Sequence, residues 1–115
     1  MVKAGGLKDG ILNVAQIHTY ASKLGVFHTG SPFNNIAVDY QLQLPIIIGE
    51  TSVTLAHNTN WTIQNMYRYS LQSGYSGLWD WALVNGKEDG NDGSTIVLEG
   101  ISALKDDDDV KVQIL

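Results

Sequence analysis

A chain of 115 residues, 43% hydrophobic and 17% charged, has the composition of one water-soluble domain and no room for a second. Seven basic against twelve acidic residues give a net charge of -5, with Asp106, Asp107, Asp108 and Asp109 in a row, which excludes a nucleic-acid-binding surface. There is no cysteine, hence no disulfide frame, thiolate metal site or cysteine nucleophile, and no apolar run approaches the roughly 18 to 20 residues of a membrane helix. Residues 1–6 lack the apolar core of a signal peptide, so an extracellular location would need a signal upstream of this sequence, and the compartment is otherwise open.

Residues 3–10 are glycine-rich and polar, a connector before the first expected strand at 11–20. In that strand Val14, Gln16, His18 and Tyr20 share one face, so His18 and Tyr20 point the same way. A long loop over 22–32 leads to an expected helix at 33–42, with Ile36 and Tyr40, joined by Phe33 and Leu44 as further candidates, as its buried stripe and Asp39 and Gln43 outside. Leu44-Pro45-Ile46-Ile47-Ile48-Gly49-Glu50 then reads as a buried parallel strand. Three isoleucines leave no polar face, as suits a strand with helices on both sides or one lining a packed barrel, and proline is tolerated at a strand's start. Glu50 stands at the carboxyl end of that strand, where α/β folds place their chemistry.

After a loop at 51–59, Asn60 is expected to cap a helix over 61–73 that Gly74 closes. Ile63, Met66, Tyr67 and Leu71 form its apolar stripe, and Gln64, Arg68 and Gln72 its wet side. Asn60-Trp61-Thr62 also matches a glycosylation acceptor, although a cap accounts for the asparagine. Residues 75–83 are the third expected strand, with Gly77, Trp79 and Trp81 on one face. A polar loop at 85–94, a last helix at 96–104 and an alternating edge strand at 110–114 complete the chain.

Strands alternating with helices predict the α/β class, a parallel sheet with crossover connections. Taken singly, Trp81 reads as a core tryptophan, His18 as a satisfied core histidine and Tyr20 as a strand aromatic. Together with Glu50 they end three consecutive strands, which a parallel sheet makes neighbours. Tyr20 could donate its hydroxyl to Glu50 and stabilise the carboxylate, while Trp81 offers a flat apolar face of the kind sugars stack on.

His18-x-Tyr20, then Pro45-Ile46-Ile47-Ile48-Gly49-Glu50, then Gly74-Tyr75-Ser76-Gly77-Leu78-Trp79-Asp80-Trp81 resemble strands six, seven and eight of retaining (β/α)8-barrel glycoside hydrolases of the cellulase and endo-mannanase kind. The resemblance runs over 11–104. It implies a partial (β/α)8 barrel, with residues 1–105 as its C-terminal portion and 106–115 as an acidic linker and edge strand. It also implies that Glu50 is the catalytic nucleophile, Tyr20 the tyrosine bonded to it, His18 a substrate-binding histidine and Trp81 the platform under the sugar. A β-linked polysaccharide or oligosaccharide of the mannan or β-glucan type is the implied substrate, without a cofactor.

One part of the family pattern is missing. Retaining hydrolysis needs a second carboxyl group about 5 to 5.5 Å from the nucleophile, which the resemblance places after an asparagine on a fourth strand outside this sequence. Besides Glu50 the only glutamates are Glu88 and Glu99, and neither follows a strand. A barrel needs eight strands and about 250 residues, so this chain reads as the last third of one. It carries the nucleophile without the acid/base and is expected to be inactive alone, completed by a partner segment or by copies of itself. A non-catalytic carbohydrate-binding or self-associating α/β module is the alternative. A flavodoxin-like domain fits less well, for want of a glycine-rich phosphate loop after the first strand. Asp89, Asn91 and Asp92 lack the spacing of a calcium loop, and His18, His28 and His57 lack zinc spacing, so no metal is expected.

Overall fold

The computed structural model describes residues 12–22, 24–54, 56, 60–82 and 92–105. Within them the β-branched run after Pro45 forms the middle of a parallel sheet. Its strands β1 (Ala15–His18), β2 (Ile46–Thr51) and β3 (Gly77–Asp80) lie in the order β1-β2-β3. Pro45, with no N–H for a ladder, stands one residue before β2 and accepts the Ala15 N–H on its carbonyl at 2.8 Å. Helix α1 (Ile63–Gln72) connects β2 to β3, and α2 (Gly93–Ser102) follows β3 and packs on α1.

Ile46 and Ile48 of β2 join Leu78 of β3 and Ile63, Met66 and Tyr67 of α1 in one core, with Ala15 and Ile17 of β1 packed at its margin. At about 25 cal/mol for each Å² of apolar surface removed from water, these side chains hold the sheet to α1. Of the two settings expected for this strand, helices on both sides or the lining of a barrel, the described residues show helix cover on one side only, as in the second. Gln16, His18 and Trp79 are exposed, and Ile47 is only partly buried. Among the described residues the second face of the sheet is open.

Several element bounds differ from the sequence reading. β1 and β3 have four residues each, shorter than 11–20 and 75–83; Leu12 and Val14 are exposed ahead of β1, and Tyr75 packs in the core ahead of β3. No α-helix forms over 33–42. The chain there makes turns and one 3-10 segment, Ala37–Tyr40. Local side-chain bonds compete with the helix: Asn34 Nδ2 donates to the carbonyls of Phe27 (3.1 Å) and His28 (2.9 Å), and Asn35 Nδ2 to those of Thr29 (2.7 Å) and Ser31 (2.8 Å). Ile36 is extended and 46% exposed, so it makes no buried stripe, whereas Phe33 is buried against Phe27 and Trp61.

The cap of α1 is Thr62, not Asn60: Thr62 Oγ1 accepts the Asn65 N–H at 3.2 Å. Ser70 takes the buried place expected of Leu71, and Gly74, at φ 81°, follows the helix end where it was expected. α2 begins three residues earlier than expected, at Gly93. Residues 106–115, with the acidic run and the expected edge strand, lie outside the described residues.

Candidate active site

The carboxyl ends of the strands bring three of the four expected residues together. Tyr20 Oη donates to Glu50 Oε2 at 2.9 Å, and His18 Nδ1 lies 3.3 Å from the same oxygen. The backbone makes this meeting. Thr19 N–H donates to the Glu50 carbonyl at 2.9 Å, extending the β1–β2 pairing one residue past β1 and carrying Tyr20 to the carboxylate. The Glu50 side chain is 30% exposed and that of His18 47%, so the pair is wet enough to meet a ligand and too exposed for a strong ion pair. Burial, then the hydrogen bond to Glu50 and its negative charge, push the Tyr20 phenol above its ordinary value. Tyr20 therefore stays a proton donor at neutral pH.

Trp81 joins through its backbone. Its N–H donates to the carbonyl of Thr51, the residue after Glu50, at 2.8 Å, and its peptide bond to Ala82 is cis. Its side chain is half exposed, and Trp79 on β3 is more so. Two indoles thus stand near the open end of the sheet, where an apolar sugar face could lie.

The sequence reading missed a second pair of carboxyl groups beneath this end. Asp92, at the cap position of α2, is buried and accepts from Ser52 Oγ (2.8 Å), Val53 N–H (2.6 Å) and Thr54 N–H (2.9 Å). It fastens the loop after Glu50 to the start of α2, with its own N–H donating to the Trp81 carbonyl at 3.1 Å. Asp80 is opposite Thr51 in the β2–β3 register, and its two oxygens are buried without a donor at hydrogen-bonding geometry among the described residues. Burial, then the neighbouring Asp92 carboxylate, push the Asp80 carboxyl up to about 8. The only available signal was Asp80's place between two tryptophans on a strand.

Asp89, Asn91, Glu88 and His57 lie outside the described residues, and Asp92 is engaged by backbone and serine donors. Among the described residues no group of three or more His, Asp or Glu side chains could hold a metal ion. Glu99 sits on the outer side of α2 and accepts weakly from Gln64 Nε2 at 3.4 Å. A surface depression between α1 and α2 is lined by Gln64, Arg68, Leu98 and Glu99, and neither Glu50 nor its partners line it.

No family model matches the chain. It is 35% identical over 107 residues to a mannan endo-1,4-beta-mannosidase of Cryptopygus antarcticus, covering 92% of this chain and 27% of that protein. It is 34% identical over 82 residues to the protein of the same name from Mytilus edulis, covering 71% of this chain and 22% of that one. The crystal structure of endo-1,4-beta-mannanase from Eisenia fetida superposes with a TM-score of 0.80 at 30% identity, over 91% of this chain and 28% of that one. The chain thus spans about a quarter of the length of the relatives it matches. In sequence and in fold it resembles the C-terminal part of an endo-mannanase, a glycoside hydrolase, and has the parallel strands and helices of a partial (β/α)8 barrel.

Proposed function

We propose that this chain supplies the nucleophile end of a retaining β-mannan hydrolase. The observation that carries the reading is the convergence of Tyr20 and His18 on Glu50 Oε2, at the carboxyl end of the central strand, in a chain similar to mannanases. In the proposed reaction the Glu50 carboxylate attacks the anomeric carbon, the glycosidic bond breaks, and a glycosyl ester forms. Water then cleaves the ester and returns the carboxylate. Tyr20 orients the carboxylate, His18 meets the substrate beside it, and Trp81 carries the sugar ring.

The acid that protonates the leaving group, and later draws a proton from water, must come from elsewhere in a complete barrel. Glu99 lies on the exposed side of α2, where it meets Gln64 rather than Glu50, and Glu88 lies outside the described residues. An activated 2-deoxy-2-fluoro-β-mannoside with a dinitrophenolate leaving group needs no such acid. Offered to an assembly that contains this chain and digested for peptide mass mapping, it is expected to leave its label on Glu50. A label on any other residue would show the nucleophile misassigned.

A second reading, a non-catalytic carbohydrate-binding or self-associating module, is favoured by the open face with its exposed Trp79 and by the two outer sheet edges. Mannan oligosaccharide binding that survives Glu50→Gln, without any covalent label on the unmodified chain, would favour it over the enzyme.

A further inference from the structure

We propose that Gln16 is a positioning residue of the Glu50 site that sets which nitrogen of His18 carries the proton, and that position 49 is glycine in order to seat it. The proposal deepens the reading of Glu50 above, and rests on that reading only for its catalytic consequence.

Gln16 precedes His18 by two residues in β1, so both side chains leave the strand on the open face. Gln16 Nε2 hydrogen-bonds to His18 Nε2. An amide nitrogen donates and cannot accept, so His18 Nε2 must present its lone pair, and the proton of the neutral ring then sits on Nδ1. Nδ1 is the atom 3.3 Å from Glu50 Oε2. In this tautomer His18 turns its N–H toward the carboxylate, whereas the other tautomer would aim a lone pair at a negative oxygen. In this arrangement Gln16 donates to His18, Nδ1–H of His18 faces Glu50 Oε2 at 3.3 Å, and Tyr20 donates to the same oxygen.

A second observation is independent of any hydrogen atom. A Cβ built on Gly49 would collide with Cγ, Cδ and Nε2 of Gln16. The amide side chain lies flat on the bare backbone of residue 49, so any other residue there must push Gln16 off His18. Glycine at 49 thus leaves the space in which Gln16 reaches the histidine. Neither Gln16 nor Gly49 needs to touch the substrate.

The test reads the tautomer directly, by long-range proton–nitrogen correlation on the whole 115-residue chain labelled with 15N-histidine, at a pH where the ring is neutral. Loss of one signal set in His18→Gln assigns the resonances. The unmodified chain is expected to show the Nδ1–H form, and Gln16→Leu to shift the population toward Nε2–H. Gly49→Ala should do the same without altering either partner, and should add nothing in a Gln16→Leu background. Gln16→Glu, which replaces the donor by an acceptor, should place a proton on Nε2. An Nε2–H ring in the unmodified chain overturns the proposal. So does a tautomer that Gln16→Leu and Gln16→Glu leave unmoved, or equal added effects of Gly49→Ala with and without Gln16. A fluoro-sugar label away from Glu50 would sink the catalytic reading and leave this tautomer result standing.

Discussion

His18 stands opposite Glu50 because β1 skips Gly49. Ile17 pairs with Ile48 and His18 with Glu50, and the same extra residue separates the β3 pairs Ile48 with Leu78 and Thr51 with Asp80. In an unbroken strand, side chains alternate, and residue 50 would share the core face of Ile46 and Ile48. One bulged residue reverses that alternation and turns the carboxylate out beside His18, while Thr51 takes the buried side at 0% exposed. A sequence that reads as a plain apolar strand therefore ends with a carboxylate aimed away from the apolar core.

The first prediction follows from where the two donors meet. In an assembly that turns over mannan, Glu50→Gln keeps the side chain's shape but removes the nucleophilic charge, so the covalent path closes while sugar binding persists. Tyr20→Phe removes one hydrogen bond to a charged group, about 1.5 to 3 kcal/mol, or roughly ten- to more than a hundredfold in rate if that bond acts in the transition state. Trp81→Ala should raise KM before it lowers kcat. Steady-state kinetics of the three variants check the ranking, and equal losses from Tyr20→Phe and Glu50→Gln would contradict it.

A second prediction concerns association. β1 and β3 each have an outer edge with no strand beside it among the described residues, and Trp79 is 60% and Trp81 46% exposed on or beside the open face. Unpaired strand edges and apolar faces of this kind recruit other chains. Sedimentation should find the isolated chain self-associated, or bound to a segment that completes the barrel. A monomer of 12.6 kDa that unfolds cooperatively would count against this.

The third prediction separates the expected cap from the observed one. Thr62→Ala removes the acceptor of the Asn65 N–H and should cost about 1 kcal/mol, whereas Asn60→Ala should be close to neutral. Urea midpoints of the two variants decide it.

The two cap residues also show what can be read from the sequence. Asparagine and threonine both cap well, so position 60 and position 62 were equivalent until Trp61 was placed; its ring lies 5.0 Å from Phe33 and 5.2 Å from Tyr69, which holds the chain before the helix starts. The strand at 46–50 and the stripe of Ile63, Met66 and Tyr67 were legible because burial there follows directly from periodicity. The absent helix at 33–42 was not, because Asn34 and Asn35 reach carbonyls of the preceding loop instead of solvent. Tyr20 meets Glu50 as its place on the strand implied. Gln16 stood on that same face, but its contact with His18 and its fit over Gly49 depend on the bulge, which no local pattern announces.

The last prediction is a pH dependence of stability that runs opposite to the usual carboxylate. Asp80 is buried beside Asp92, and its carboxyl is pushed from 3.8 up to about 8, mainly by burial and then by the Asp92 carboxylate. The folded chain therefore keeps the Asp80 proton across a range in which the unfolded chain has lost it. Below about 4 both states hold the proton and Asp80's contribution is fully present. As the pH rises toward 8 the unfolded state is increasingly favoured, because only it ionises freely, and above that value the folded state must bury a second negative charge next to Asp92. Urea midpoints should accordingly fall between pH 5 and pH 8. Asp80→Asn keeps the shape, cannot ionise and brings an N–H donor to β3 opposite Thr51, whose Oγ1 has no hydrogen-bond partner among the described residues. That variant should lose the slope and be the more stable protein at pH 8. A slope that persists in Asp80→Asn would place its origin in another group, and a midpoint that rises from pH 5 to pH 8 in the unmodified chain would show that Asp80 is ionised in the fold.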